Sequence, residues 1–137
     1  MRVEEEVEQK VQHVLRGISE TLEKFMQEEK ITLSDIRGII IQLEPSFKLL
    51  SRKWTLTLLY TLLIAGSSSF NSLHRITGIN KRSLSIRLRE LEKNGLVKRE
   101  AGGARVNYKL TDTGRDTALL MIPLIYYISR RMPQPVT

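Results

Sequence analysis

The stretch GINKRSLSIRLRELEKNGLVKREAGGARVNYKLTDTG, residues 78–114, decides the fold. Within it Leu84, Leu88 and Leu91 recur at helical spacing, so residues 80–93 read as a helix capped by Asn80 and ended by Asn94-Gly95. The hydrophobic period then falls from 3.6 to 2. Leu96 to Glu100 and Arg105 to Leu110 read as strands joined by Ala101-Gly102-Gly103-Ala104, a β-hairpin over 97–110. In its second arm Val106, Tyr108 and Leu110 face one way and Arg105, Asn107 and Lys109 the other. Thr111 caps a last helix over 112–130, apolar all round from Ala118 to Ile128 except for Pro123, which should bend or break it.

Upstream, Phe70 to Ile76 reads as a short helix with Phe70, Leu73 and Ile76 inward, following a turn at Ser67–Ser69 and separated from the next helix by Thr77-Gly78. Residues 47–65 read as one very apolar helix stopped by Gly66. Before it, Thr32 and Ser34 offer caps for a helix with Ile36, Ile39, Ile40 and Leu43 on its inner side, which Pro45 stops or turns. The chain opens with a helix over 3–29. Val3, Val7, Val11, Val14, Ile18, Leu22 and Phe25 follow steps of 4, 4, 3, 4, 4 and 3. This 11-residue repeat keeps the stripe on one face of a nearly straight helix, which must find a partner, preferably its own copy.

The order of elements predicts a mainly α fold with a small β-hairpin. This is a winged helix-turn-helix with a long N-terminal helix and a C-terminal dimerisation helix. Residues 1–45 are expected to be a helical dimerisation extension, 46–131 the winged-helix domain with its C-terminal helix, and 132–137 a frayed tail.

The cations support that plan. Opposite Leu84, Leu88 and Leu91 stand Arg82, Ser85, Ile86, Arg89 and Lys93, with Lys81 near the helix start. Arginine can fork onto guanine edges, serine can bond base or phosphate, isoleucine can touch a thymine methyl, and a helix start attracts phosphate. On the hairpin, Lys98, Arg99, Arg105 and Lys109 surround a small-residue tip, suited to phosphates or a narrow minor groove. A solvated basic face is the ordinary alternative for either element; their conjunction behind a helix-turn favours DNA. The expected DNA-binding set is His74, Arg75, Asn80, Lys81, Arg82, Ser83, Ser85, Ile86, Arg89, Lys93, Arg99, Arg105 and Lys109. For dimerisation it is Val7, Val11, Val14, Ile18, Leu22, Phe25, Leu120, Leu124 and Tyr127.

Net charge agrees. Residues 1–45 hold 6 basic and 10 acidic side chains, a balance of −4. Residues 46–137 hold 16 and 5, a balance of +11. A basic module attached to an acidic appendage points to a polyanion.

Several stretches together resemble the HxlR-type family of winged-helix regulators, which are MarR-like in general plan. They are Lys53-Trp54, Phe70 to Leu73, the block from Gly78 to Arg99, and Tyr108 to Gly114. The resemblance covers about residues 46–130. It implies a homodimer on a near-palindromic duplex site, terminal helices at the dimer interface, and helix 80–93 in the major groove. Many members carry a sensing Cys ahead of the Lys-Trp pair; this chain has no cysteine, which excludes thiol sensing. Ser51-Arg52 stands where a Gly-Gly pair is common, and Ile86 where a polar reader is common. Residues 1–45 lie outside the resemblance.

Other classes fit less well. Without cysteine, and with only His13 and His74, a metal site, a cofactor or a triad is not expected. Ser67, Ser68 and Ser69 lack an activating base pattern, so no enzyme is expected. Trp54, Tyr60, Met121, Tyr126 and Tyr127 could line an effector pocket, but aromatics at helical spacing are more often core; no small-molecule effector is expected. The acidic start and the short apolar run from Trp54 to Gly66 argue against a leader or membrane span and for a cytoplasmic, nucleoid-associated protein. Two alternatives stay open: a weakly specific chromatin or architectural DNA binder, and a winged-helix protein–protein module.

Overall fold

A computed structural model describes residues 2–133. The elements are α1 (Arg2–Gln27), a 3₁₀ turn (Leu33–Asp35), α2 (Ile36–Ser51), α3 (Thr55–Ala65), β1 (Ser68–Ser69), α4 (Phe70–Thr77), α5 (Lys81–Lys93), β2 (Val97–Gly102), β3 (Arg105–Leu110) and α6 (Asp112–Arg131). From α3 onward this is the winged helix-turn-helix order. The expected tail lies, from residue 134 on, outside the described residues. No described helix is long and apolar enough to cross a membrane.

The chain forms two compact units. Ser46–Leu119 is one; residues up to Pro45 together with those from Leu120 on are the other. The core of the first comprises Leu58, Leu59 and Leu62 of α3, Leu73 of α4, Ile79, Leu84, Leu88 and Leu91 of α5, Leu96, Val97, and Ala118 of α6. The leucine spacing of α5 therefore does what its period implies: all three side chains are buried, at 1 % exposure or less. The second unit is different. Among its described side chains only Val11 is a buried hydrophobe.

Four local expectations need correction. Residues 47–65 are not one helix: α2 ends at Ser51 and α3 begins at Thr55, because Trp54 adopts a left-handed backbone at φ 75°. Neither Lys53 nor Trp54 is a breaker by type, so propensity gives no sign of this junction. Thr55, fully buried, and the bond from the Thr55 N–H to the Arg52 carbonyl (3.2 Å) hold it. Pro45 does not stop α2, which runs through it. One missing ladder bond is tolerable where the surrounding residues are exposed to water. The inner side expected for α2 is not buried either, with Ile36, Ile40 and Leu43 exposed by 45, 56 and 61 %. Finally, Ser68–Ser69 is a strand rather than part of a turn. It pairs antiparallel with β3, Ser68 with Tyr108 and Ser69 with Asn107, giving the sheet order β1-β3-β2. A two-residue strand carries no alternation to read.

Ile76, expected inward, is 57 % exposed; the short α4 turns Leu73 alone fully into the core. α6 is continuous through Pro123, so of the bend or break expected there the break does not occur. Thr32 starts the segment before α2: the Asp35 carboxylate accepts from its N–H and its hydroxyl, both at 2.9 Å, and these bonds hold that carboxyl below its usual range.

One close approach ties the domain together. α6 starts so near the Leu96 backbone that a Cβ added at Gly114 would lie 1.9 Å from the Leu96 carbonyl oxygen. Gly17, in mid-α1, has open space around it. Gly114→Ala should therefore lower unfolding free energy by on the order of 3 kcal/mol. Gly17→Ala should raise it by about 0.5–1 kcal/mol through helix propensity. Thermal or urea unfolding of the two variants checks this; an unperturbed Gly114→Ala protein contradicts the packing described.

Candidate nucleic-acid interface

The helix-turn-helix is built by local hydrogen bonds. Ser69 caps α4, its hydroxyl accepting from the Ser72 N–H at 3.1 Å. Asn80 caps α5, its side-chain oxygen accepting from the Ser83 N–H at 2.9 Å. Between the helices Gly78 takes φ 72°, a left-handed conformation that suits glycine, and turns the chain. Ile79 then plugs the core at 0 % exposure. Two α4 side chains fasten this turn. Thr77 donates to the Leu73 carbonyl (2.6 Å) and accepts from the Ile79 N–H (3.2 Å), while His74 Nδ1 lies 2.7 Å from the Ile79 carbonyl oxygen. His74 thus spends a ring nitrogen on positioning α5.

On α5, burial of the leucines leaves Lys81, Arg82, Ile86, Arg89 and Lys93 exposed, and Ser83 and Ser85 half-buried. Ile86, Arg89 and Lys93 line one shallow depression of about 340 Å³ with Glu90 and Asn94. Arg87 is engaged elsewhere. Its guanidinium bonds Glu90 at 2.9 Å, and Arg52 approaches the same carboxylate at 3.3 Å. Arg52 had no role in the sequence reading. The structure uses it to brace the start of the domain against α5.

The wing is a regular antiparallel pair, with Arg99 opposite Tyr108 and Gly102 opposite Arg105. Residues opposite one another share a face, and faces alternate along each strand. Arg99 consequently stands on the face of Val97, Val106 and Tyr108, and Arg105 on the other, with Lys98, Glu100, Asn107 and Lys109. The two arginines project from opposite faces, a division that spacing within one arm does not reveal. Lys98 and Lys109 converge on Glu100, at 3.6 and 3.2 Å. Lys109 above all holds the Glu100 carboxyl below its usual range. Arg99 and Arg105 are exposed.

Tertiary structure also brings together residues far apart in sequence. Arg75 of α4 and Arg105 of β3 line the same depression of about 400 Å³, with Ser69, Phe70, Asn71, Ser72 and Val106. The β1–β3 pairing produces this, since it lays the wing beside the start of α4. Arg75 Nη2 donates to Ser72 Oγ at 3.2 Å, which points the guanidinium back towards that helix start. Asn71 and Ser72 were absent from the expected set. Only the unrecognised strand could have placed them there.

The residues expected at a dimer interface lie in the other unit. Along α1, Val7 is half-buried and Val11 buried, whereas Val14, Ile18, Leu22 and Phe25 are exposed by 36–60 %. On α6, Leu120 and Leu124 are exposed by 73 and 62 %, and the Arg131 guanidinium stacks 3.7 Å from the Tyr127 ring. Arg131 also bonds Glu8 of α1, which holds that carboxyl below its usual range.

Known proteins give the same fold. Residues 49–135 match the HxlR-like helix-turn-helix family. YvaP of Bacillus subtilis, described as an uncharacterized HTH-type transcriptional regulator, is 34 % identical over 82 residues, covering 57 % of this chain and 75 % of that protein. Among solved structures, the redox regulator HypR in its oxidized form is 33 % identical, with a TM-score of 0.56 over 69 % of this chain and 99 % of that one. Quinone-bound YodB from B. subtilis is 27 % identical, with a TM-score of 0.57 over 65 % of this chain and 96 % of that one. With the family matched from Leu49 onward and its helix-turn-helix and wing in place, this chain belongs to the HxlR-like helix-turn-helix family.

Proposed function

We propose that this chain is a DNA-binding transcriptional regulator that holds duplex DNA as a homodimer, with α5 in the major groove and the β2–β3 wing on phosphates or in the minor groove. The observation that carries the reading is the division of α5. One face is a fully buried leucine row, and the opposite face exposes Arg82, Ile86, Arg89 and Lys93 on a helix whose entry is fixed by Asn80, Ile79 and His74. A rigidly aimed cationic helix suits base reading, since only fixed side chains can match the donor and acceptor pattern of a base edge. Arg82, Ser85 and Arg89 are the proposed readers. Asn80, Lys81, Ser83 and Lys93 serve the flanking backbone, and Ile86 a thymine methyl. Arg75, Arg99 and Arg105 act as clamps on the sugar–phosphate chains, Lys109 supports the wing through Glu100, and His74 acts through the turn.

On this reading residues 46–131, the C-terminal helix included, form the DNA-binding domain and 1–45 the dimerisation extension, with the second half of α6 also lending its exposed apolar residues to the dimer. The described residues of the extension and of that half of α6 bury almost nothing alone, so a second copy supplies the missing core. Whatever signal the regulator answers, thiol oxidation is not available to a chain without cysteine.

The test separates readers from clamps. On a duplex selected from a random pool, Arg82→Ala or Arg89→Ala should cost about 1–3 kcal/mol and relax sequence preference. Arg105→Ala should weaken selected and random duplexes alike and reduce the salt slope by about one unit. Equal losses on both duplexes for the helix variants reject the reader assignment. No loss for any variant rejects DNA binding through this face. Sedimentation should give a dimer at micromolar concentration, and a stable folded monomer contradicts the homodimer.

A further inference from the structure

α2 buries none of its residues, yet it is strongly apolar. Leu33, just ahead of it, and Ile36, Ile40, Leu43 and Phe47 along it are exposed by 91, 45, 56, 61 and 73 %. Their steps are 3, 4, 3 and 4, and the half-buried Leu50 continues the series with another 3. This is a period of 3.5, that of a seam between two supercoiled helices, and unlike the 11-residue repeat of α1 it suits close pairing with a second helix. The two residues least suited to a helix interior, Gly38 and Pro45, are seven apart and occupy the position farthest from the seam.

We propose that a second copy of this chain covers the α2 stripe, the two α2 helices pairing antiparallel about a two-fold axis. In that register Leu33 meets Leu50 of the partner subunit, Ile36 meets Phe47 of the partner subunit, and Ile40 meets Leu43 of the partner subunit. Every core position is thereby filled twice, as an isologous contact requires. Charge selects the direction. Antiparallel pairing sets Arg37 beside Glu44 of the partner subunit, on both sides of the axis. Parallel pairing would instead set Arg37 beside Thr32 and Glu44 beside Ile39, with no opposite charges matched. The inference rests on the homodimer proposed above and adds to it a surface outside both α1 and α6.

The absence of cysteine makes single-site spin labelling clean. Labels at Gln42→Cys should sit at nearly the same height on the two copies, about 1.5 Å apart along the axis, and those at Ser34→Cys about 22 Å apart. Pulsed dipolar spectroscopy of the intact chain should therefore give a short distance for the first and a long one for the second. Two short distances would mean parallel helices and overturn the proposal. In sedimentation, Ile40→Glu should raise the dimer dissociation constant roughly ten- to a hundredfold. Ile41→Glu changes an equally exposed neighbour off the seam and should leave the constant within about twofold. Arg37→Glu should weaken the dimer, and adding Glu44→Arg should restore it. If Ile40→Glu has no effect while Ile18→Glu in α1 dissociates the dimer, the α2 seam is wrong and the homodimer stands. A monomeric unmodified chain removes both.

Discussion

The winged-helix unit depends on what happens at Leu96. Its N–H donates to the Leu91 carbonyl at 2.9 Å and closes the end of α5; its side chain is 6 % exposed. Its carbonyl accepts from the Thr111 N–H at 3.0 Å, joining the base of the hairpin, and lies against Gly114 at the start of α6. Thr111 adds a bond from its hydroxyl to the Gly95 carbonyl (2.6 Å) and caps α6 through the Gly114 N–H (2.9 Å). One residue thus fixes where α5 ends, where the wing begins and how α6 enters. Anything longer than hydrogen at position 114 would force these apart, and the angle between recognition helix and wing would go with them.

Around that anchor the cations divide by what they touch. Arg52 and Arg87 are drawn to Glu90, and Lys98 and Lys109 to Glu100. The Glu100 pairs are exposed and add little stability, and the Arg87–Glu90 pair is half-buried; all of them hold long side chains in place and lower their availability to a polyanion. Arg82, Arg89, Lys93, Arg99 and Arg105 have no such partner among the described residues. Cations without an acidic partner therefore stand on the outer face of α5 and on the wing, the two surfaces proposed to meet a duplex. Glu90 and Glu100 thus engage four of the unit's basic side chains.

Much of this was legible because it rests on period and caps. The row Leu84, Leu88, Leu91, the cap at Asn80 and the switch to alternation after Gly95 are local signals, and each has its structural counterpart. What stayed hidden was tertiary in origin. Ser68–Ser69 becomes a strand only because β3 lies beside it, and this in turn brings Asn71 and Ser72 to Arg105. Trp54 takes a left-handed backbone that its residue type does not announce. Pro45 reads as a stop, yet its place on an exposed helix lets α2 continue. The apolar residues of α2 read as an inner side, but among the described residues Ile36, Ile40 and Leu43 stay exposed and Ile39 is only half-buried. Hydrophobic pattern says that a face must be buried, and cannot say by which molecule.

The central claim is that α5 enters the major groove while a symmetric dimer spans two half-sites. Methylation interference on a selected duplex tests it directly, since methyl groups at guanine N7 lie in the major groove and those at adenine N3 in the minor groove. The account predicts two clusters of interfering guanines whose centres are separated by about one helical turn, 10–10.5 base pairs, or a multiple of it. Between or beside them, minor-groove interference should fall where the wings reach. Interference confined to adenine N3, with none at guanine N7 in a site containing both bases, would place α5 outside the major groove and contradict the account.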